Sequence, residues 1–274
     1  MIGVRQLAAT DRGTTAAALA LGLGCAGLLA QICYPLTAGS ARDLVTVAVV
    51  LLLAACCVAH AYAVGGLRWA AALTLVTAGV GLLAEFVGTA TGFPFGAYVY
   101  TAHGSLGPEA GTVPLVVGAA WIFGTYPAWC AARAVVGRER GALVVPVAAW
   151  GLAAWDLYLD PQLVADGRWT WTDPVPALPG VPQVPLSNYA GWLLVALVIC
   201  GLLQLIDRAP DRPHHGLRPA AAALPLVLFC WTWLGSAVAH AVFLGLPASA
   251  CYGLVGMGVL GVPLLATLAR RREP

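Results

Sequence analysis

Lysine is absent from the 274 residues: all fourteen basic side chains are arginine. Charged residues of both signs reach only 9%, against about 25% in an ordinary soluble domain. Such a chain cannot cover a globular surface with charge. With 60% hydrophobic residues it reads as one integral membrane domain over residues 1–274, without a polar block large enough for a soluble domain. A net charge of +2 leaves no strongly basic face, so nucleic acid is not expected as a partner. No C-x-x-C pair occurs, Cys56 and Cys57 are adjacent, and most of the eight cysteines lie in apolar runs. That pattern argues against a secreted disulfide scaffold and a structural zinc site. Also missing are a G-x-G-x-x-G before a strand, a Walker loop, paired histidines inside the spans, and a D-D-x-x-D cluster for magnesium and diphosphate. No metal or cofactor is expected.

What is present is a series of long apolar runs. A spanning helix needs roughly 20 mostly apolar residues. Eight runs qualify: Ala16–Pro35, Leu44–Val64, Arg68–Val87, Thr112–Val136, Ala142–Leu159, Tyr189–Ile206, Ala220–Leu244 and Ala248–Ala269. All are rich in Ala, Leu and Val rather than alternating, which favours an all-α bundle over a barrel. The fifth is the weakest, being short and ending in acidic residues. Placing both termini in the cytoplasm puts twelve arginines inside and only Arg42 and Arg168 outside, the asymmetry expected of inserted helices. The first run has a basic start and small residues at Ala38–Ala41. It therefore also fits a signal peptide, though it is long for one. Two extracytoplasmic loops, 88–111 and 160–188, are expected to close a site. The second holds six prolines, which makes it a rigid irregular segment.

An ionisable side chain inside a span is costly and marks a functional candidate. Glu85 lies near the end of the third run, Asp156 late in the fifth and His240 late in the seventh. All three runs point outwards in this topology. Glu85 is then roughly 25 Å beyond Arg68, and Asp156 roughly 21 Å beyond Ala142. Their shared outer depth suggests one site. The stretch GFPFGAYVYT adds Tyr98 and Tyr100, expected on opposite faces if extended. Asp160 shares a face with Asp156 if the helix persists; beside Pro161 it otherwise shapes a turn. Asn188 and Tyr189 open the sixth run, where Ser187 or Asn188 is suited to cap the helix. His60 reads as structural, His103 as a solvated loop residue, and His214 and His215 as a polar face.

Three segments together resemble a known family. They are EFVGTATGFPFGAYVYT (Glu85–Thr101), AWDLYLDPQLVADGRWTW (Ala154–Trp171) and VPLSNYAGW (Val184–Trp192). Their order and spacing are similar to those of the integral-membrane carotenoid biosynthesis proteins, which include carotenoid 1,2-hydratases and bisanhydrobacterioruberin hydratases. The resemblance covers roughly residues 70–245. It implies a membrane enzyme that adds water across the terminal double bond of an acyclic carotenoid, giving a tertiary alcohol. It also implies the lipid bilayer as surroundings and other carotenoid-pathway enzymes as possible neighbours.

The residues suit that chemistry. Hydrating a trisubstituted alkene needs a proton donor, stabilisation of a tertiary cation, and an oriented water. A carboxylic acid in an apolar pocket is a suitable donor, since burial favours its neutral form. A second carboxylate can take the proton of the attacking water. Glu85 and Asp156 fill these two roles in either order. Asp160, Tyr98, Tyr100, Asn188 and His240 would position water or tune the carboxylates. Phe93, Phe95, Trp121, Trp155, Trp169 and Tyr189 are candidates to line the slot for a flat polyene, with the interfacial aromatic belt as the plainer reading. Two other readings stand beside hydration. A cyclase acting on lycopene would share the first protonation but capture the cation internally. A proton-coupled transporter would use the same intramembrane carboxylates, although no inverted repeat is evident.

Overall fold

A computed structural model of the chain describes residues 2–137, 140–207 and 219–270. The expectations for Arg138, Arg208, Arg212, Arg218, His214, His215, Arg271 and Arg272 fall outside these residues. The elements follow in chain order. Helix α1 (Ile2–Cys33) ends in a 3-10 turn (Tyr34–Leu36), and α2 spans Gly39–Thr91. After short strands β1 (Tyr98–Tyr100), β2 (Glu109–Ala110) and β3 (Val113–Pro114) come α3 (Val116–Val136) and α4 (Gly141–Ala165). Strands β4 (Trp169–Trp171), β5 (Ala177–Leu178) and β6 (Val181–Pro185) lead into α5 (Leu186–Asp207). Helix α6 (Pro219–Val238) passes into a π-helical turn (Ala239–Phe243) before α7 (Pro247–Arg270).

Among the described residues, six helices are long and apolar enough to cross a membrane. One of them, α2, has 53 residues, about 80 Å if straight, far more than one crossing requires. It is broken at Gly66, where φ is 69° and ψ −174°, a conformation essentially confined to glycine. The second and third expected runs are the two limbs on either side of this break. Helix α3 has 21 residues and is not among the six. The fifth run, expected to be short, is a 25-residue helix. It continues through Asp160 and Pro161 to Ala165, so the following loop begins later than position 160.

Proline within these helices frees a carbonyl four residues earlier, and in hydrocarbon that group needs another partner. Two cases are met from other helices. Pro161 frees the carbonyl of Leu157, which accepts the Ser249 hydroxyl at 2.7 Å. Pro225 frees the carbonyl of Ala221, 3.0 Å from His60 Nε2, while His60 Nδ1 meets the Tyr126 hydroxyl at 2.9 Å. His60 thus has the structural role its position suggested.

Glycines set the closest helix contacts. A Cβ at Gly81 of α2 would lie 2.3 Å from the Trp121 ring of α3. One at Gly253 of α7 would lie 2.3 Å from the Tyr158 ring of α4. These bare positions seat large aromatics in the centre of the bundle, where Trp121 stacks on Trp192 at 4.2 Å between ring centres.

Candidate active site

The site begins with a two-stranded ribbon that folds over the bundle end. Strand β1 pairs antiparallel with β4, setting Tyr98 opposite Trp171 and Tyr100 opposite Trp169. Residues two apart on a strand share a face. Tyr98 and Tyr100 are therefore on the same, inward side, with Val99 exposed between them. This corrects the expectation of opposite faces. Both phenols donate to Glu85 Oε2, Tyr98 at 2.5 Å and Tyr100 at 2.9 Å. Burial first, and the Glu85 carboxylate second, push both phenols above their ordinary pKa, so they remain protonated donors. The Trp121 indole faces the same carboxyl without reaching hydrogen-bond geometry.

The other strand serves the second carboxylate. Trp169 Nε1 donates to Asp160 Oδ1 at 3.1 Å. Because α4 persists past Pro161, Asp156 and Asp160 lie one turn apart on one face. Asn188, in the first turn of α5, donates its amide to both: to Asp156 Oδ2 at 2.7 Å and to Asp160 Oδ2 by a shorter contact. Its side chain is therefore committed to the carboxylates rather than to capping α5. Among the described residues, the Tyr189 hydroxyl meets no hydrogen-bond partner.

These groups border one cavity of about 1020 Å³. Glu85, Asp160, Asn188, Tyr98 and Tyr100 line it, as do Phe95, Trp121, Trp155 and Trp169. Asp156 does not; it sits behind Asn188. Tyr189 also stays outside the lining, and Phe93 is 64% exposed on the outer surface. His240 is buried but set apart. Its Nε2 meets Gln162 at 3.1 Å and its Nδ1 meets Ser249 at 2.9 Å, and it contacts neither Glu85 nor Asp156. His103 lies beside Glu109 in the outer loop. The cavity also takes in Trp171, Trp192, Tyr158 and Gln162, none of which stood out as site residues in the sequence. Gln162 and Trp171 lie within the second quoted segment and Trp192 ends the third, which is the signal that would have found them. Among the described residues, no group of three His, Cys, Asp or Glu side chains is disposed to hold a metal ion.

A second polar group ties the rim together. Arg42 at the start of α2 pairs with Asp166 at 2.7 Å, and Arg168 pairs closely with Asp43. The Tyr34 hydroxyl also contacts Asp166, and the Arg42 guanidinium lies 5.3 Å from the Tyr34 ring centre. The two arginines assigned to the outer side are thus both neutralised. Through them the α1–α2 corner is fastened to the segment between α4 and β4.

Residues 45–260 match the family described as carotenoid biosynthesis protein, a stretch that holds every side chain of the carboxylate cluster. The chain belongs to that family. Bisanhydrobacterioruberin hydratase of Haloarcula japonica is 32% identical over 160 residues, 57% of this chain and 49% of that protein. The chain therefore matches about half the length of this curated relative. No solved structure matches the chain significantly. Family membership and the long apolar helices together make it an integral membrane protein of carotenoid biosynthesis.

Proposed function

We propose that the protein adds water across the terminal double bond of an acyclic carotenoid end group, giving a tertiary alcohol. It acts as a hydro-lyase that needs only proton transfers. The observation that carries this reading is a pair of carboxyl groups, Glu85 and Asp160, on the wall of one apolar cavity, each met by a donor from the same β-ribbon. The name of the Haloarcula japonica relative supports the reaction type.

The geometry favours Asp160, rather than Asp156, as the group facing substrate. Asp160 gives its proton to the less substituted alkene carbon, leaving a cation on the tertiary carbon. Aromatic faces around the cavity, among them Trp121 and Trp155, stabilise that charge. Glu85 is arranged as an acceptor, with two phenols converging on Oε2. It takes the proton of the attacking water as the C–O bond forms. One proton leaves Asp160 and one arrives at Glu85, and exchange with water resets the pair. Asp156 and Asn188 are positioning residues that hold Asp160.

The same reading places eight crossings in the bilayer, with both termini cytoplasmic. The two limbs of α2 cross separately and α3 crosses as well. The segments 92–115 and 166–185, which carry the β-ribbon, then close the site from the outside. Expression in cells that accumulate an acyclic carotenoid tests the function through pigment mass. Gain of one water per modified end supports hydration, whereas an unchanged mass with altered absorption indicates cyclisation. Unaltered pigment beside well-inserted protein contradicts both.

A further inference from the structure

The cavity extends far beyond the carboxylates. Its lining follows α6 and the π-helical turn from Ala223 to Leu244, about 32 Å of helix, close to the hydrocarbon thickness of roughly 30 Å. At the inner end it reaches Leu268, near the end of α7. The ionisable groups Glu85 and Asp160 occupy one end, and the rest is walled mainly by apolar side chains. Several wall residues are also exposed on the outside of the bundle: Ile32 at 48%, Leu36 at 71%, Leu234 at 43% and Phe243 at 56%. Ile32 and Leu36 belong to the outer end of α1, and Leu234 and Phe243 to the second half of α6 with its π turn. These apolar residues of α1 and α6 thus border the cavity and are also exposed. Deeper in, α1 and α6 are joined where Trp231 Nε1 donates to Gln31 at 3.0 Å.

We propose that this slot holds the body of a single acyclic polyene. The molecule enters sideways from the bilayer between α1 and α6, with one end group at the carboxylates and the other towards the inner face. The identity of the ligand rests on the hydration reading; the slot and its length do not. A rod of bilayer length fits a groove of that length, and an exposed apolar border suits a molecule dissolved in the membrane. The carboxylates lie at one end only. Each visit therefore modifies one end group, and a carotenoid hydrated at both ends must leave and return reversed.

Native cysteines supply the test. Cys230 lines the slot on α6, while Cys251 is exposed on α7 outside it. The full-length protein in membranes is treated with N-ethylmaleimide, with and without a bound acyclic carotenoid, and labelling is followed by peptide mass spectrometry. Bound carotenoid is expected to slow labelling of Cys230 about tenfold and to leave Cys251 unchanged. In parallel, Ala223→Trp fills the inner end of the slot. It is expected to lower hydration of the full-length carotenoid about tenfold, while a shorter acyclic polyene with the same end group is still hydrated. Co-purified carotenoid that leaves Cys230 labelling unaltered would overturn the slot even where hydration is intact. Wild-type protein that binds carotenoid and protects Cys230 but yields no hydrated product leaves the slot standing and removes the hydration reading.

Discussion

At Glu85 two phenol donors meet one carboxylate oxygen, and at Asn188 one amide serves two carboxylates. In the proposed mechanism the two halves of the chemistry separate by residue. Glu85→Gln and Asp160→Asn are each expected to slow hydration by about 10²–10⁴, the usual worth of a general acid or base, measured as hydrated pigment per unit of inserted protein. Asp156→Asn should retain more activity than Asp160→Asn and should shift the pH profile of the rate, since it acts through Asn188. Tyr98 and Tyr100 permit a second check. Their raised pKa means the fold favours neutral phenols, so their contribution to stability is intact below about pH 10. It is lost as pH rises towards the folded value. The phenolate absorbance gained up to pH 11 should thus be the same in wild type and in the Tyr98→Phe, Tyr100→Phe double variant. A smaller signal in the double variant would show that these phenols ionise normally.

Among the elements, α4 carries the greatest demand. It holds Asp156 and Asp160 in register only because it continues past Pro161, and Ser249 satisfies the carbonyl that this proline frees. Ser249→Ala is expected to cost about 1–3 kcal/mol, the price of an unpaired buried polar group, read as a lower unfolding temperature in detergent. Much of this arrangement was legible beforehand. Apolar runs give helices, and the four-residue step from Asp156 to Asp160 gives a shared face. The segments around Glu85, Asp156 and Asn188 contain almost the whole carboxylate cluster. Other features depend on partners distant in the chain and leave no local trace. Nothing near Asp166 announces Arg42, 124 residues away, and nothing near Pro161 announces Ser249. That Asp160 faces the cavity while Asp156 lies behind Asn188 follows from how α5 packs on α4, which no helix periodicity encodes. The placing of Tyr98 and Tyr100 was a different matter: strand alternation already puts them on one face.

For the whole molecule, the polar chemistry gathers under a ribbon at one end of an apolar bundle, with the rim fastened by the Arg42–Asp166 and Arg168–Asp43 pairs. This division suits a substrate dissolved in lipid and a reactant drawn from water. The topology proposed with it is open to test by fusions to the C-terminus. A green fluorescent protein placed there should fluoresce and an alkaline phosphatase should be inactive; the reverse pattern would contradict a cytoplasmic end. The central claim, that the Glu85 and Asp160 carboxylates deliver water to an acyclic carotenoid end, is tested most directly by isotope incorporation. Membranes containing the protein are incubated with an acyclic carotenoid in heavy-oxygen water, and the pigment is analysed by mass spectrometry. One heavy oxygen per modified end is expected with the wild type and none with Asp160→Asn or Glu85→Gln. Equal incorporation by both variants, or none by well-inserted wild type, would contradict it.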